Sequence, residues 1–432
     1  MAERIVQEES LTLVADAIRA KGGTSDPLSF PGGFADAIAA IETGGNGGGG
    51  ATSVPMKDVN FYDYDGTRLY SYTVAEAQAL TELPALPTQP GLICQGWNWT
   101  LEDIKAHNRA VDVGAMYITD DGKTRLYITI AAEGRMDVTL RFNQNVANGV
   151  TIEWGDGSAA ETLSGTGYVN TVHTYDSIGN YVISLEASDE CTLSLVTNAN
   201  SYSVMGSTDK IYNSMLRKVE IGNRVFSIGN YAFTDCLSLS SIAMSNAIRS
   251  IGSRSFYSCR SLAYITIPNN ASSIDSYAFN NCGSLKSVAL PTGIERISNY
   301  CFNNCYTLSR ITLPDTLKQI VTYAFYNCYA LSYITLPNGV SSVGTYAFYA
   351  CKALANIKIP AGVATVSSNA FYNCSSMAFY DFTSHTSVPT LSSTNAFNNI
   401  PSDCQIRVPA ALADEWKAAT NWSTYASKIV AV

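Results

Sequence analysis

The feature that most constrains this chain is a repeat with a period of 23 residues. Cys236, Cys259, Cys282, Cys305, Cys328, Cys351 and Cys374 follow one another at that interval without exception. Each is preceded three residues earlier by a phenylalanine, from Phe233 and Phe256 to Phe348 and Phe371. Three residues after the cysteine comes Leu239, Leu262, Leu285, Leu308, Leu331 or Leu354, with Met377 in the last copy. Ile242, Ile265, Val288, Ile311, Ile334 and Ile357 follow, and then Met244, Ile267, Leu290, Leu313, Leu336 and Ile359, usually before a proline. The unit reads I-x-x-Y-A-F-x-x-C-x-x-L-x-x-I-x-L-P. One copy cannot bury its own apolar face, so the copies must stack. The stretch L-x-x-I-x-L turns alternate residues inward on a short strand, and the proline ends it. Strands stacked at about 4.8 Å give a solenoid of about eight rungs, roughly 40 Å long.

The ends of the array are degenerate, as capping requires. Leu216, Val219 and Ile221 supply a strand without a Phe–Cys half, and Asn213 stands where a cysteine would be. Phe397 comes 26 residues after Phe371, and Ile406, Val408 and Pro409 close a last rung. Leu412 and Trp416, at helical spacing, predict a lid over residues 410–432. The columns resemble the leucine-rich repeat of the BspA type, found in bacterial surface adhesins and protist surface proteins. That subclass places its cysteine before the strand leucines, as here. The predicted fold is mainly β and multi-domain, with the solenoid over residues 201–409.

Composition narrows the function. A chain of 432 residues with 46 % hydrophobic and 15 % charged residues has ample core for several domains and is not disordered. It holds no apolar run of about 18 residues, which excludes a membrane-spanning helix. A net charge of −9 argues against a nucleic-acid binder. With 26 tyrosines and 3 histidines the chain favours contact surfaces over His-based catalysis. No C-x-x-C pair occurs, and an unbroken cysteine period reads as a buried column rather than a disulfide framework or zinc site. The start, with Glu3, Glu8 and Glu9 and no continuous apolar segment, is unlike a secretory signal, so synthesis in a bacterial cytoplasm is expected.

Residues 1–43 read as a helical hairpin. Ser10 caps a first helix with Leu11, Val14 and Ile18 on one face. Gly22-Gly23 ends it, and Pro31 opens a second helix carrying Phe34, Ile38 and Ile41. This stretch looks like the N-terminal segment of tail proteins of phages and prophages of gut Gram-positive bacteria, which implies attachment to other tail or baseplate proteins. Residues 44–56 form a glycine-rich linker. Residues 57–112 predict a small β-rich module, with a hairpin turning at Asp65-Gly66 and a short helix capped by Thr100. It resembles a module found beside the same hairpin in such tail proteins. Trp97 and Trp99 are read as core rather than as ligand-stacking rings. Residues 113–200 predict strands with turns, beginning over Met116–Ile130. The W-G-D-G-S run at Trp154–Ser158 and the His173–Leu185 pattern are similar to the PKD family of immunoglobulin-like sandwiches. That resemblance implies a spacer or binding unit in which Asp156 orders a turn and Trp154 packs.

No catalytic motif, phosphate loop or cation loop occurs. An Asp156–His173 pair lacks a nucleophile, and Tyr62–Asp65 is better explained as a hairpin turn than as a cation site. No enzyme activity, cofactor or metal is therefore expected. The candidate site is the outward strand face of the solenoid. One column runs Ser241, Tyr264, Ser287, Arg310, Tyr333, Asn356 and Phe379, and its neighbour Ala243, Thr266, Ala289, Thr312, Thr335, Lys358 and Asp381. Tyr264, Thr266, Arg310, Thr312, Tyr333, Thr335, Asn356 and Lys358 are the candidate ligand-binding residues, suited to sugar or protein. A further row of Tyr231, Tyr277, Tyr300, Tyr323 and Tyr346 is open to stacking. Residues 211–409 carry 13 Lys and Arg against 7 Asp and Glu, which suits an anionic surface polymer such as teichoic acid. Taken together, the expectation is a phage or prophage tail protein in the virion, binding a host surface glycan or protein without catalysis. It is expected to be a homo-oligomer, with a trimer natural for a fibre, and to insert in no membrane. A BspA-like surface adhesin and a purely structural tail component are the alternatives.

Overall fold

The computed structural model describes residues 58–107, 109–195, 203–206 and 213–432. The hairpin and linker expected over residues 1–56 lie outside the described residues. Lys57–Val432 form one compact unit.

The first layer is a four-stranded sheet. Its strands are β1 (Val59–Tyr62), β2 (Arg68–Tyr72), β3 (Leu92–Trp97) and β4 (Val111–Thr119), in the order β2-β1-β4-β3. β1 and β2 form the expected hairpin, with Gly66 at φ 89°, a conformation that costs glycine little. Two short helices, α1 (Val74–Gln78) and α2 (Leu101–Ala106), connect the strands. Thr73 and Thr100 cap them, each in a reciprocal capping box, with Glu76 and Asp103. Trp97 and Trp99 are buried, as read from the sequence.

The strands read over Met116–Ile130 are present, but the predicted boundary at residue 113 is corrected. β4 belongs whole to the first sheet, and the chain then crosses to β5 (Thr124–Ile130) in a different sheet. β4 runs V-D-V-G-A-M-Y-I-T and is covered on both faces, so it lacks the alternation that would have marked its allegiance.

The next strands are β6 (Asp137–Gln144), β7 (Val150–Glu153), β8 (Glu161–Thr162), β9 (Gly167–Thr174), β10 (Gly179–Ala187) and β11 (Leu193–Leu195). β5, β10, β7 and β8 lie in one sheet, and β6, β9 and β11 in another. Leu126, Ile128, Leu140, Phe142, Ile152, Ile183 and Leu185 from both share one core. These sheets do not stop at residue 200. β12 (Leu216–Glu220) pairs antiparallel with β5, and then parallel with β14 (Ser241–Ala243). β13 (Val225–Ile228) pairs parallel with β11, and then with β15 (Ser250–Ile251). Each sheet thus runs on into a column of solenoid strands, and the apolar core runs unbroken from Leu126 to Ile429.

The solenoid consists of about nine stacked turns. Its phenylalanines form one buried pile, with ring centroids from 5.2 Å (Phe256–Phe279) to 5.7 Å (Phe371–Phe397) apart. The cysteines have a second function beyond filling space. The Cys259 thiol donates to the Phe233 carbonyl at 3.1 Å, and Cys282, Cys305, Cys328, Cys351 and Cys374 repeat the bond one rung at a time. Each of these carbonyls also accepts an amide of its own turn, as Phe233 does from Cys236, so the small apolar side chain adds a weak second donor that ties one rung to the next. Two residues per turn adopt positive φ. One column holds Asn281, Asn304, Asn327 and Asn373, which tolerate it. The other holds Tyr277, Tyr300, Tyr323 and Tyr346, whose rings stack at 4.5, 4.5 and 4.7 Å. Bulky residues are rare in that region, and stacking offsets the strain.

The C-terminal lid is helical over α3 (Ala413–Ala418), with Trp416 and Trp422 buried against Phe382. Ile429–Ala431 then returns as one more parallel rung beside Gln405–Val408.

Candidate functional site

The outward face of the solenoid strands divides into a covered part and an open part. The cover is β4 with the ends of β1 and α2. β4 packs across β14, β16 (Tyr264–Thr266) and β18 (Ser287–Ala289). The Tyr117 amide donates to the Met244 carbonyl at 3.2 Å. Gly114 sits directly over Thr266, where a Cβ would lie 2.0 Å from the threonine Oγ1. Asn98 Nδ2 donates to the Ile267 and Ala289 carbonyls, both at 3.3 Å, and Trp99 Nε1 to the Leu290 carbonyl at 2.8 Å.

Asp112 is the polar centre of this contact. It is 1 % exposed. Its Oδ1 lies 2.9 Å from Arg310 Nη2, and its Oδ2 accepts from Ser287 Oγ at 2.6 Å. Asn60 Nδ2 donates to Oδ1 at 3.3 Å, and the Asp112 amide donates to Thr312 Oγ1 at 3.0 Å. Burial, with this carboxylate nearby, pushes the Tyr62 phenol up to about 12. The Tyr62 ring lies 5.0 Å from that of Tyr264.

This places the sequence-derived site residues in two groups. Tyr264, Thr266 and Thr312 are buried, and Arg310 is turned to Asp112 and the Asp58 carbonyl. The expectation that these four belong to an open face is corrected: they are the solenoid half of an internal contact. Tyr333, Thr335, Asn356 and Lys358 lie beyond the cover. Tyr333 is 45 % exposed, Lys358 is exposed, and Thr335 and Asn356 are half-buried. Thr335 Oγ1 donates to the Tyr333 hydroxyl at 2.8 Å. The open face continues through Phe379 and Asp381 to Gln405 and Arg407. There the Arg407 guanidinium covers the Phe379 ring at 3.7 Å.

At the edge of the cover, Arg109 pairs with Asp315 and donates to the Thr335 carbonyl at 3.4 Å. His107 Nδ1 lies 3.3 Å from the same carboxylate. Burial, and then Arg109, hold the imidazole below its ordinary pKa against the pull of Asp315. The cleft between these groups, Arg310 and Tyr333 is about 10 Å³, room for about one water rather than a ligand.

The other candidates resolve structurally. His173 Nε2 lies 2.6 Å from Asp156 Oδ2, with the imidazole stacked on Trp154 at 4.6 Å. Partial burial of Asp156 is outweighed by hydrogen bonds from Ser158 and His173, which hold its carboxyl at about 2. This arrangement clasps a turn, with Tyr175 donating to the Trp154 carbonyl at 2.8 Å. Asp63 is buried, accepting from Tyr117 at 2.5 Å and Gln89 at 2.6 Å. Among the described residues no cluster of three or more His, Cys, Asp or Glu is placed to hold a metal. All eleven cysteines are free thiols, and burial pushes those of the ladder up.

Sequence reasoning missed Asn98, Asp112 and Gly114. One signal was present. Along the inner outward column, the covered rungs carry Ala243, Thr266, Ala289 and Thr312, and charge begins only with Lys358, Asp381 and Arg407.

A family model described as the BspA type leucine rich repeat region matches the chain in 6 copies, over residues 207–332 and 272–402. Among solved structures, a leucine-rich repeat protein from Bacteroides ovatus ATCC 8483 is 29 % identical over 44 % of this chain and 48 % of its own, with a TM-score of 0.40. The chain thus spans about half the length of that relative. A Treponema pallidum leucine-rich repeat protein is 24 % identical over 42 % of this chain and 75 % of its own, TM-score 0.30. A leucine-rich cell surface protein from Faecalibacterium prausnitzii A2-165 is 23 % identical over 50 % and 72 %, TM-score 0.30. No curated protein sequence matches the chain.

Proposed function

We propose that this chain, which carries a BspA-type leucine-rich repeat domain, is a non-catalytic adhesion protein that reads a bacterial surface with the open part of its strand face. One observation carries the reading. The face is covered over its first rungs and left free from Tyr333 onward, where it presents aromatic, amide and charged side chains to solvent. Tyr333, Thr335, Asn356 and Lys358 then form the contact, extended by Phe379 and Arg407, and the partner is a surface glycan or protein. The sheets over residues 124–195, read as a PKD-like unit, serve as spacer and cap. We place the protein in a phage or prophage tail, joined to other tail proteins through residues 1–43 and assembled as a homo-oligomer. The resemblance of residues 10–41 to tail-protein N-termini supports that placement. A bacterial surface adhesin is the second reading, favoured by the family match alone.

The test is binding of the labelled full chain to a panel of gut bacteria. Saturable binding to a few strains, reduced at least tenfold in Tyr333→Ala/Lys358→Glu and unchanged in Tyr306→Ala on another face, supports the reading. Binding to no strain, or binding indifferent to the double substitution, overturns it.

A further inference from the structure

A second cavity lies away from the strand face, where the sheet of β5 meets the first solenoid strand. It measures about 180 Å³ and is lined by Thr129, Arg135, Ser214, Met215, Arg217 and Ser238, among others. The junction itself makes the hollow. The Thr129 amide donates to the Met215 carbonyl at 2.9 Å, so β5 and β12 are held together there. Beyond that bond β5 ends, and the chain turns away through Ala131 and Ala132 toward Arg135.

Its charge is one-sided. No Asp or Glu is among the described lining residues. Arg217 donates through Nε to Thr129 Oγ1 at 3.3 Å, which orients the guanidinium, and its terminal NH2 groups have no acceptor among the described residues. Arg135 makes no ion pair among the described residues, although Glu133 is in the same turn. Four other arginines are neutralised locally, in Arg109–Asp315, Arg125–Asp121, Arg224–Asp189 and Arg310–Asp112. Two guanidinium forks facing one hollow recognise a planar or tetrahedral oxyanion through paired N–H donors. The Met215 side chain and the two alanines add an apolar wall, and the Ser238 hydroxyl adds a polar contact. The hollow is below the roughly 300 Å³ at which drug-sized sites begin, so it admits a single ring.

We propose that this cavity is a binding site for one anionic sugar unit, its carboxylate or phosphate ester held between Arg135 and Arg217 and its ring against Met215. The site is independent of the strand face and of any cell-binding role. It places an acidic-glycan contact where β5 joins the first solenoid strand rather than on the outward face of the repeats, so either site can fail without the other.

The experiment is calorimetric titration of the full chain with D-glucuronate, D-glucose 6-phosphate, D-glucose and inorganic phosphate. Expected is saturable binding of one or both sugar anions, with glucose at least tenfold weaker and inorganic phosphate weaker than the sugar anion. Which sugar anion binds identifies the source as carboxylate or phosphate ester. Arg135→Gln and Arg217→Gln each lower affinity by at least tenfold. Ala132→Trp, which fills the hollow and keeps both charges, abolishes binding, and circular dichroism checks that each variant is folded. Absence of saturable binding by either sugar anion overturns the proposal, as does affinity unchanged in Arg135→Gln/Arg217→Gln. Inorganic phosphate binding as tightly as the sugar anions overturns the assignment of a sugar ring.

Discussion

Replacing Asp112 by alanine tests whether the small sheet is locked onto the solenoid by the contact described. The substitution removes an ion pair to Arg310 at 2.9 Å and acceptors for Ser287 and Asn60, in a site where the carboxylate is 1 % exposed. Breaking a buried pair by deleting one partner costs about 3–5 kcal/mol, because the other charge stays behind. Arg310 is 15 % exposed at its side chain and keeps the Asp58 carbonyl, so the low end applies, about 3 kcal/mol. Arg310→Met leaves the carboxylate buried with Ser287 and Asn60 and costs a similar amount. Since both single variants lose the same pair, the double variant Asp112→Ala/Arg310→Met recovers part of the sum, with a coupling of about 2 kcal/mol. The loss is local before it is global. Hydrogen exchange at the Tyr117 amide, bonded to Met244, therefore accelerates about 100-fold in Asp112→Ala, the equivalent of about 3 kcal/mol. Exchange at Ile265, within the solenoid, changes far less. The assay is urea denaturation of the four proteins of the cycle with amide exchange by mass spectrometry. A coupling under about 0.5 kcal/mol, with Tyr117 exchange unchanged, would falsify the lock.

Three other outcomes follow from the same structure. Gly114→Ala forces a Cβ to within 2.0 Å of Thr266 Oγ1, so it destabilises by about 1–3 kcal/mol, and an unchanged urea midpoint would contradict the close packing of β4 on the solenoid. His107 and His385 are held below their ordinary pKa by burial, so their unfolded forms bind protons more readily. Their contribution is complete above about pH 6.5 and is lost as pH falls below it, so the urea midpoint drops between pH 7.5 and 5.5, and the drop shrinks in His107→Gln; a midpoint that rises on acidification refutes this. Burial pushes the ladder thiols up, so at pH 8 a thiol reagent modifies Cys94, the one cysteine that is not fully buried, and leaves Cys305 and Cys328 untouched until urea is added. Rapid labelling of Cys305 or Cys328 in the folded chain, located by peptide mapping, would show the ladder to be open.

The repeat was legible because its signal is redundant: the same residue types return at one interval, and the Phe and Cys columns could have no other explanation. The Asp65-Gly66 turn, the Thr100 cap and the core placement of Trp97 and Trp99 were legible for local reasons, each fixed by a few adjacent residues. The tyrosine row also bears out the stacking reading, for Tyr277 to Tyr346. The cover over the strand face was not legible. It depends on Asp112 meeting Arg310, nearly 200 residues away, and neither residue advertises its partner. β4 was misassigned because a strand buried on both sides has no alternation to read. The outward columns were thus legible in the sequence, but which of their rungs face solvent is a tertiary fact.

The continuity of the sheets has a consequence for how such a protein changes length. One end of the repeat array is fused to β5 and β11, and the cover is anchored from that end over a fixed set of strands. The other end is closed by the tryptophan lid. A 23-residue unit gained or lost between Tyr333 and Phe379 therefore moves the lid by one strand spacing, about 4.8 Å, and leaves the cover undisturbed. Each such event adds or deletes two outward side chains. The array behaves as a ruler with its zero hidden under the small sheet, on which reach and chemistry are adjusted by copy number alone.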